Sequence, residues 1–368
     1  MKSIIKILTF LIFILTISAC NEEIEILNPQ PLTAIVFGLL DSSEDVHFVK
    51  ITKSLPGTSD AYNAAQNPDL NYFKTVHAVI YEVKNNIDTL RQWELADTTI
   101  STKDSGAFYY PTQKVYHFNT DKKAPLLKEK EIKYVLIAYL DGNKITSETE
   151  LISGASISSP SITSSLSFAN SDISKQGYAF TPVIINSGTA TIANVSLRVH
   201  VKEIKSSSTD SSFVYWNVND LSVSANSKNQ INIKGEEFYK LLKAKFAISN
   251  EYPKRILNQI DIIVSFGSEN LRNFIELSKP SSELSQSKTT FTNIKTTEKN
   301  FQVRGIFTSR ESISLSKKSW FKDPNYSSYY RLIDASSMKE LCKGTITNKL
   351  NFYSDVPTDV NQSYYLKP

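Results

Sequence analysis

The chain is poor in the residues from which most recognisable chemistry is built. It has 368 residues with two cysteines, four histidines and eleven glycines. The cysteines, Cys20 and Cys342, stand 322 positions apart, so no Cys-x-x-Cys metal or redox site exists. Low glycine goes with the absence of phosphate-cradling loops, and no Gly-x-Ser-x-Gly nucleophile turn is present. Charge is almost balanced, with 41 basic and 37 acidic residues. Signs are scattered, which leaves no basic patch for nucleic acid. No apolar run reaches the roughly 20 residues a membrane-spanning helix needs.

What is present begins at the N-terminus. Lys2 and Lys6 precede the apolar run Ile7–Ile17, and Ile17-Ser18-Ala19-Cys20 follows. A positive start, a short apolar core and small residues before a cleavage point are the marks of a secretory signal. The last four residues fit the bacterial lipobox at each position. The expectation is therefore a signal peptide over 1–19 and a mature chain that begins at acylated Cys20. Lipid chains contribute about 0.8 kcal/mol per buried CH2, so a multiply acylated cysteine anchors firmly to a membrane. The other reading is an ordinary signal with an incidental cysteine. Removing 1–19 takes out two lysines and no acid, so the net charge of +4 falls by two.

Residues 20–31 hold Pro29 and Pro31 among polar residues and read as the lipidated cysteine and its tether. From Leu32 to Leu151 the pattern is strand-like. Leu32–Leu40, Val46–Leu55, Tyr72–Val83, Thr89–Leu95, Phe108–Phe118, Tyr134–Leu140 and Lys144–Leu151 alternate or run apolar between turn signals, of which Asp141-Gly142 is the strongest. Seven short strands point to a β-sandwich of immunoglobulin or transthyretin kind. Pro68 is expected to close a short helix capped by Ser59 or Asp60. Residues 152–176 are rich in serine and read as a linker or exposed loop.

Residues 177–368 read as a β-rich α+β domain. Ala190–Ile204 alternates, with Val195, Leu197, Val199 and Val201 on one face and Ser196, Arg198, His200 and Lys202 on the other. Glu236–Ala247 changes to helical period, with an apolar stripe of Phe238, Leu241, Leu242 and Phe246. A second helix is expected over Ser337–Lys343, with Ser337 and Glu340 at capping-box spacing and Gly344 as its stop. Cys342 would sit on its apolar side as a small buried hydrophobe. The fold class expected overall is mainly β.

Candidate sites are few. Each histidine (His47, His77, His117, His200) lies within a strand-like run, far in sequence from the others, so no metal site is assigned. Asp41, Glu44 and Asp45 form an acidic turn that could offer calcium ligands or simply be solvated. Trp320, Phe321, Tyr326, Tyr329 and Tyr330 cluster around Asp323-Pro324-Asn325. Exposed, these rings would form a ligand or partner surface suited to glycans or proteins. Folded back, they would fill core, the commoner fate of such rings. No catalytic residue and no cofactor is assigned.

Several segments resemble a group of uncharacterised Bacteroidota outer-membrane lipoproteins. They are Gly38-Leu39-Leu40-Asp41, Val46–Ile51, Asp60-Ala61, Ala65–Asp69, Phe291-Thr292-Asn293-Ile294 and Gly305–Arg310. Asn21-Glu22-Glu23 also resembles the acidic signal that sends such lipoproteins to the cell surface. The pattern departs before Gly305, where Lys299–Arg304 replaces a glycine-containing turn. The resemblance implies lipid anchoring at the outer membrane and the company of TonB-dependent transporters or other envelope proteins. It implies no reaction and no catalytic residues. The expected role is a non-catalytic binding or accessory module. The alternative is a surface glycan-processing enzyme whose carboxylates are brought together by the fold.

Overall fold

The computed structural model describes residues 31–54, 61–106, 109, 111–170, 177–246, 254–279 and 290–367. The expected signal peptide, Cys20 and its tether as far as residue 30 lie outside the described residues. So do the proposed Ser59/Asp60 cap and residues 171–176. Among the described residues no helix is long and apolar enough to cross a membrane.

The chain is mainly β, as its alternation predicts, and forms two sandwiches with separate cores. In the first, β1 (Leu32–Asp41), β2 (Val46–Lys53), β6 (Gln113–Asn119) and β5 (Ala96–Ile100) form one layer. The facing layer is β8 (Asn143–Thr149), β7 (Ile132–Leu140), β3 (Val76–Lys84) and β4 (Asp88–Glu94). The β3–β4 turn places Asn85 and Asn86 at φ 52° and 60°, and the β7–β8 turn places Asp141 and Gly142 at 48° and 91°. These left-handed pairs match the twist of a two-residue hairpin. Ala34, Val36, Leu40, Val49, Ile51, Ile80, Tyr134 and Leu136 fill the space between the layers.

The first layer does not end with its own segment of sequence. β16 (Phe301–Lys318) runs parallel to β1, from Leu32 opposite Phe301 to Asp41 opposite Arg310. The same strand then runs antiparallel to β14 (Lys254–Gly267), from Gly267 opposite Arg310 to Gln259 opposite Lys318. One strand thus belongs to both sandwiches and joins them in a nine-stranded sheet. β15 (Lys295–Thr296) also crosses over to pair with β8. Residues within the 177–368 stretch therefore complete the 32–151 sandwich, and Ile294, Phe301 and Phe307 lie in its core.

Close contact makes the β1–β16 pairing specific. Gly305 has φ +100°, and a Cβ there would lie 1.9 Å from the Val36 carbonyl oxygen. Gly38 stands opposite Phe307, whose ring would meet a Cβ at 2.6 Å. Neither position has room for a side chain. Asn293 adds a polar lock. Its amide accepts from Phe307 N (3.0 Å) and donates to Phe307 O (2.6 Å) and Glu148 O (3.4 Å).

The second sandwich sets β12 (Thr209–Ser222), β11 (Ile192–Ile204), β14 and the second half of β16 over β13 (Lys228–Lys234), β10 (Phe180–Asn186) and β9 (Ser156–Ser159). β19 (Phe352–Tyr353) adds a short parallel pairing to β14. Residues 152–170 are not the expected free linker. β9 pairs with β10, and Leu166 and Phe168 are fully buried in the second core. Serine-rich composition concealed these two anchors. Phe168 stacks on Phe238 at 4.1 Å between centroids.

Among the described residues five α-helices flank the sheets: α1 (Ala61–Gln66), α2 (Pro68–Asn71), α3 (Gly235–Lys245), α4 (Glu269–Ser278) and α5 (Ala335–Lys343). α1 ends just before Pro68, as expected, with Asn67 extended, and Pro68 also opens α2, since proline at N1 lacks only an N–H that would be unpaired anyway. α3 buries Phe238 and Leu242 from the expected stripe, together with Tyr239. Asp334, not Ser337, caps α5: its carboxylate accepts from Ser337 N at 2.7 Å. The Ser337 hydroxyl instead accepts from the Phe168 and Ala169 N–H groups at 2.7 and 3.0 Å. This removes two donors that burial would otherwise leave unpaired.

Candidate functional site

The sequence-predicted aromatic cluster forms a small hairpin. β17 (Trp320–Lys322) pairs with β18 (Tyr329–Arg331), which puts Phe321 opposite Tyr330. Trp320 is half-buried, packs on the second core and meets Tyr329 edge-on at 5.6 Å. Phe321 and Tyr330 lie 4.8 Å apart. Asp323 fixes the turn: it accepts from the N–H groups of Asn325 (2.7 Å) and Tyr326 (3.2 Å) and from the Tyr330 hydroxyl. Those bonds hold the Asp323 carboxyl below its ordinary range, and the same contact raises the Tyr330 phenol. Four of the five rings are thus engaged with one another. Tyr326, at the tip, is 72% exposed.

The histidines do not converge. His47 is buried, stacks on Phe118 and shares a hydrogen bond with Thr120. Burial lowers its pKa, opposed by the charges of Asp41 and Asp45. His77 pairs with Glu94 on the surface. His117 lies against the Ala96 carbonyl. Among the described residues no group of three His, Cys, Asp or Glu side chains could hold a metal. Two of the three acids of the turn are held by cations. Asp41 is buried and pairs with Arg310, while Asp45 pairs with Lys122.

Where β16 passes between the sandwiches, a polar recess of about 500 Å³ opens between the end of β8 and the start of α4. Glu148 and Glu150 line one wall and Glu269 the other. Glu148 pairs with Lys133 and Glu269 with Arg272, both at 3.3 Å. All three acids are exposed. A glycosidase acid needs burial to raise its pKa and a second carboxylate facing it across the bond to be cut. Glu148 lies on β8 and Glu150 just past its end, on the same wall, and Glu269 across from them is as exposed as they are.

The best-organised polar group is one that sequence reasoning did not assemble. On the outer face of the second sandwich two neighbouring rows cross four strands. One runs Tyr215, Arg198, Asp261, Ser316; the next runs Phe213, His200, Gln259, Lys318. Residues directly opposite share a face, so all eight belong to one surface. Asp261 organises it. Its carboxylate is 2% exposed and accepts from His200 Nε2 (2.8 Å), Arg198 Nε (3.0 Å) and Gln259 Nε2 (2.6 Å). Burial pushes the Asp261 carboxyl up, but hydrogen bonds from Ser316, His200 and Gln259 outweigh it and hold the group below its ordinary range. Arg198 and His200 are thereby fixed with part of each side chain open to solvent. Phe213 and Tyr215 beside them are 62% and 54% exposed.

The alternation of Ala190–Ile204 located two of its eight residues, Arg198 and His200. Asp261 was hidden because it follows Ile260 and precedes Ile262 in an apolar run, 61 residues beyond His200.

No family model and no curated protein matches the chain. Among solved structures, the C-terminal globular domain of an oligosaccharyltransferase from Pyrococcus abyssi aligns at 7% identity and a TM-score of 0.22, over 83% of this chain and 50% of that one. The chain therefore spans about half the length of that relative, and a likeness of this size transfers neither fold nor activity.

Proposed function

We propose that this chain is a lipid-anchored protein of the outer membrane that acts as a non-catalytic binding or accessory module, in the company of a transporter or another envelope protein. Ile17-Ser18-Ala19-Cys20 supports the anchor. The two-row surface around Asp261 carries the binding reading. Rigid sheet positions, pre-oriented donors at Arg198, His200 and Gln259, and open ring faces at Phe213 and Tyr215 are the parts of a recognition surface. Ring faces beside fixed donors suit a saccharide or a partner's polar loop.

Two measurements test this. Replacing Cys20 with alanine releases the protein from the membrane fraction if the anchor is lipid; retention in that fraction overturns the anchor. Cross-linking in intact envelopes, followed by capture of the protein, is expected to recover an envelope partner or a glycan. The double variant Phe213→Ala/Tyr215→Ala should lose that capture while unfolding at the parent's temperature. Equal capture by the variant removes this surface from the proposal. Turnover of a glycan by the purified protein would establish the enzymatic alternative.

A further inference from the structure

β12 is the end strand of the nine-stranded sheet on the side of the second sandwich. Among the described residues it pairs with β11 alone, so the backbone groups along its other side face no strand. α3 packs beside it without pairing with it. Val214 is the one buried residue of its fourteen. Its register shift against β11 falls between Val195 and Ser196, beyond Asn217, so Thr209–Asn217 runs as a regular strand. Sheets shield their edges with short strands, proline or a central charge. β12 has none of these along Ser211–Asn217, which reads Ser-Ser-Phe-Val-Tyr-Trp-Asn without charge, proline or glycine. The charged residues of the strand, Asp210 and Asp220, stand outside that run on either side. Neutral, β-prone runs of about six or seven residues are the segments that pair with another strand.

The run is its own complement. Laid antiparallel on a second copy about a two-fold axis through Val214, it sets Phe213 opposite Tyr215 and Ser211 opposite Asn217 on the outer face, each pair formed twice. On the inner face Val214 meets Val214 of the second copy, and Ser212 meets Trp216. Ring then lies against ring and polar side chain against polar side chain, the pairs that stabilise neighbouring strands. Val214 and Trp216 already pack on the second core, so each core extends toward the other. Charge selects this centre. An axis through Tyr215 would set Asp210 opposite Asp220 of the second copy, twice, and like charges directly opposite destabilise a pairing. An axis through Phe213 would set the Asp210 carboxylate opposite the half-buried Trp216. With the axis at Val214, Asp210 falls opposite Val218, past the regular run, and Asp220 lies beyond the end of the facing strand.

We propose that β12 joins a second copy of this chain edge to edge, antiparallel about Val214, in a symmetric dimer whose sheet runs through both molecules. A two-fold axis perpendicular to the sheet keeps both outer faces on one side. The two Asp261 surfaces then form one continuous face, with the rings of Phe213 and Tyr215 from each copy between them. This goes beyond the recognition surface proposed above, because it concerns the backbone edge of β12 and leaves Arg198, His200 and Asp261 open.

Sedimentation of the purified full chain at rising concentration tests this. The parent should pass from monomer to dimer. Ser211→Lys/Asn217→Lys sets like charges opposite each other twice and should weaken the dimer at least about tenfold. Ser211→Lys/Asn217→Glu makes each of the same pairs opposite in sign and should restore most of the parent's association. Both positions are exposed, so neither change enters a core, and thermal unfolding checks that each variant is folded. A parent that stays monomeric up to about 100 µM, a dimer untouched by the first variant, or a second variant as weak as the first overturns the proposal. Both variants keep Phe213, Tyr215 and the Asp261 group. Loss of the dimer therefore leaves the capture experiment to judge the recognition surface by itself.

Discussion

Arg310 Nε lies 3.2 Å from Asp41 Oδ2, at the residue where β16 leaves β1 and takes up β14. Asp41 is 2% exposed and accepts from Ser43 N and Ser43 Oγ as well. The pair therefore fixes the point where the shared strand passes from one sandwich to the other. Arg310→Met leaves a buried carboxylate without its cation. Because the arginine is part-exposed, the cost should fall below that of breaking a fully buried pair, at about 2 kcal/mol. Urea denaturation measures it. Adding Asp41→Asn should recover part of the loss, so the two costs should not add.

Asn293 satisfies both backbone groups of Phe307, a residue otherwise buried in the first core. Asn293→Ala strands those groups and should destabilise the chain by about 2–4 kcal/mol. Asn293→Asp keeps the shape but loses the donor to the Phe307 carbonyl. It should be nearly as damaging, and chemical denaturation of the three proteins orders them.

Lys317 is 2% exposed, and its ammonium donates to the Ser161 and Ile162 carbonyls at 2.7 and 2.8 Å. Burial pushes its pKa down to about 8. The unfolded chain titrates this lysine near 10.4, so between about pH 8 and 10.4 the unfolded state binds more protons and the group's contribution to stability rises with pH. Lys317→Met should therefore melt above the parent at pH 7, with an advantage that shrinks as pH rises through that window. An advantage that stays constant from pH 7 to 10 would refute the sign.

For Asp261 the pH slope has the same sign, but here the charged form stabilises the fold instead of opposing it. Its folded pKa is depressed, so its contribution is complete above the unfolded value, about 3.9, and is lost as pH falls through the folded value. Asp261→Asn should lower the melting temperature at pH 7. The gap from the parent should close below about pH 4. A gap that persists at pH 2 would show that the carboxylate's charge is not what holds Arg198 and His200.

Cys342 is 5% exposed, and burial pushes its thiol up to about 12. The thiolate is the reactive form, so the native protein should resist alkylation at pH 8. Labelling of Cys342 should follow the unfolding transition in urea, read by mass spectrometry.

Much of the local order was legible. Period two marked β11, period 3.6 marked α3, and Asp141-Gly142 announced its hairpin. Capping was less so, because Ser337 fits a cap equally well when its hydroxyl serves a neighbouring segment. The joining of sheets was not legible at all. Nothing near Val36 says that Gly305 will lie against it, since parallel pairing leaves no turn between partners. Gly38–Asp41, Asn293 and Gly305–Arg310 did stand out as segments, and they prove to be one another's partners. The Asp261 surface failed for the same reason: its members come from four strands, and only one strand's share is visible at a time.

β1 begins at Leu32 and meets its parallel partner only at Phe301. During synthesis or export, most of the polypeptide must therefore emerge before the first strand has a neighbour on that side. A nascent chain stopped short of Phe301 carries an unpaired edge and lacks Phe301 and Phe307 from its first core. Completion of the early half thus waits on the late half, and closing so long a loop is slow. A chain built this way stays open until its late half has been made, and then closes both halves together.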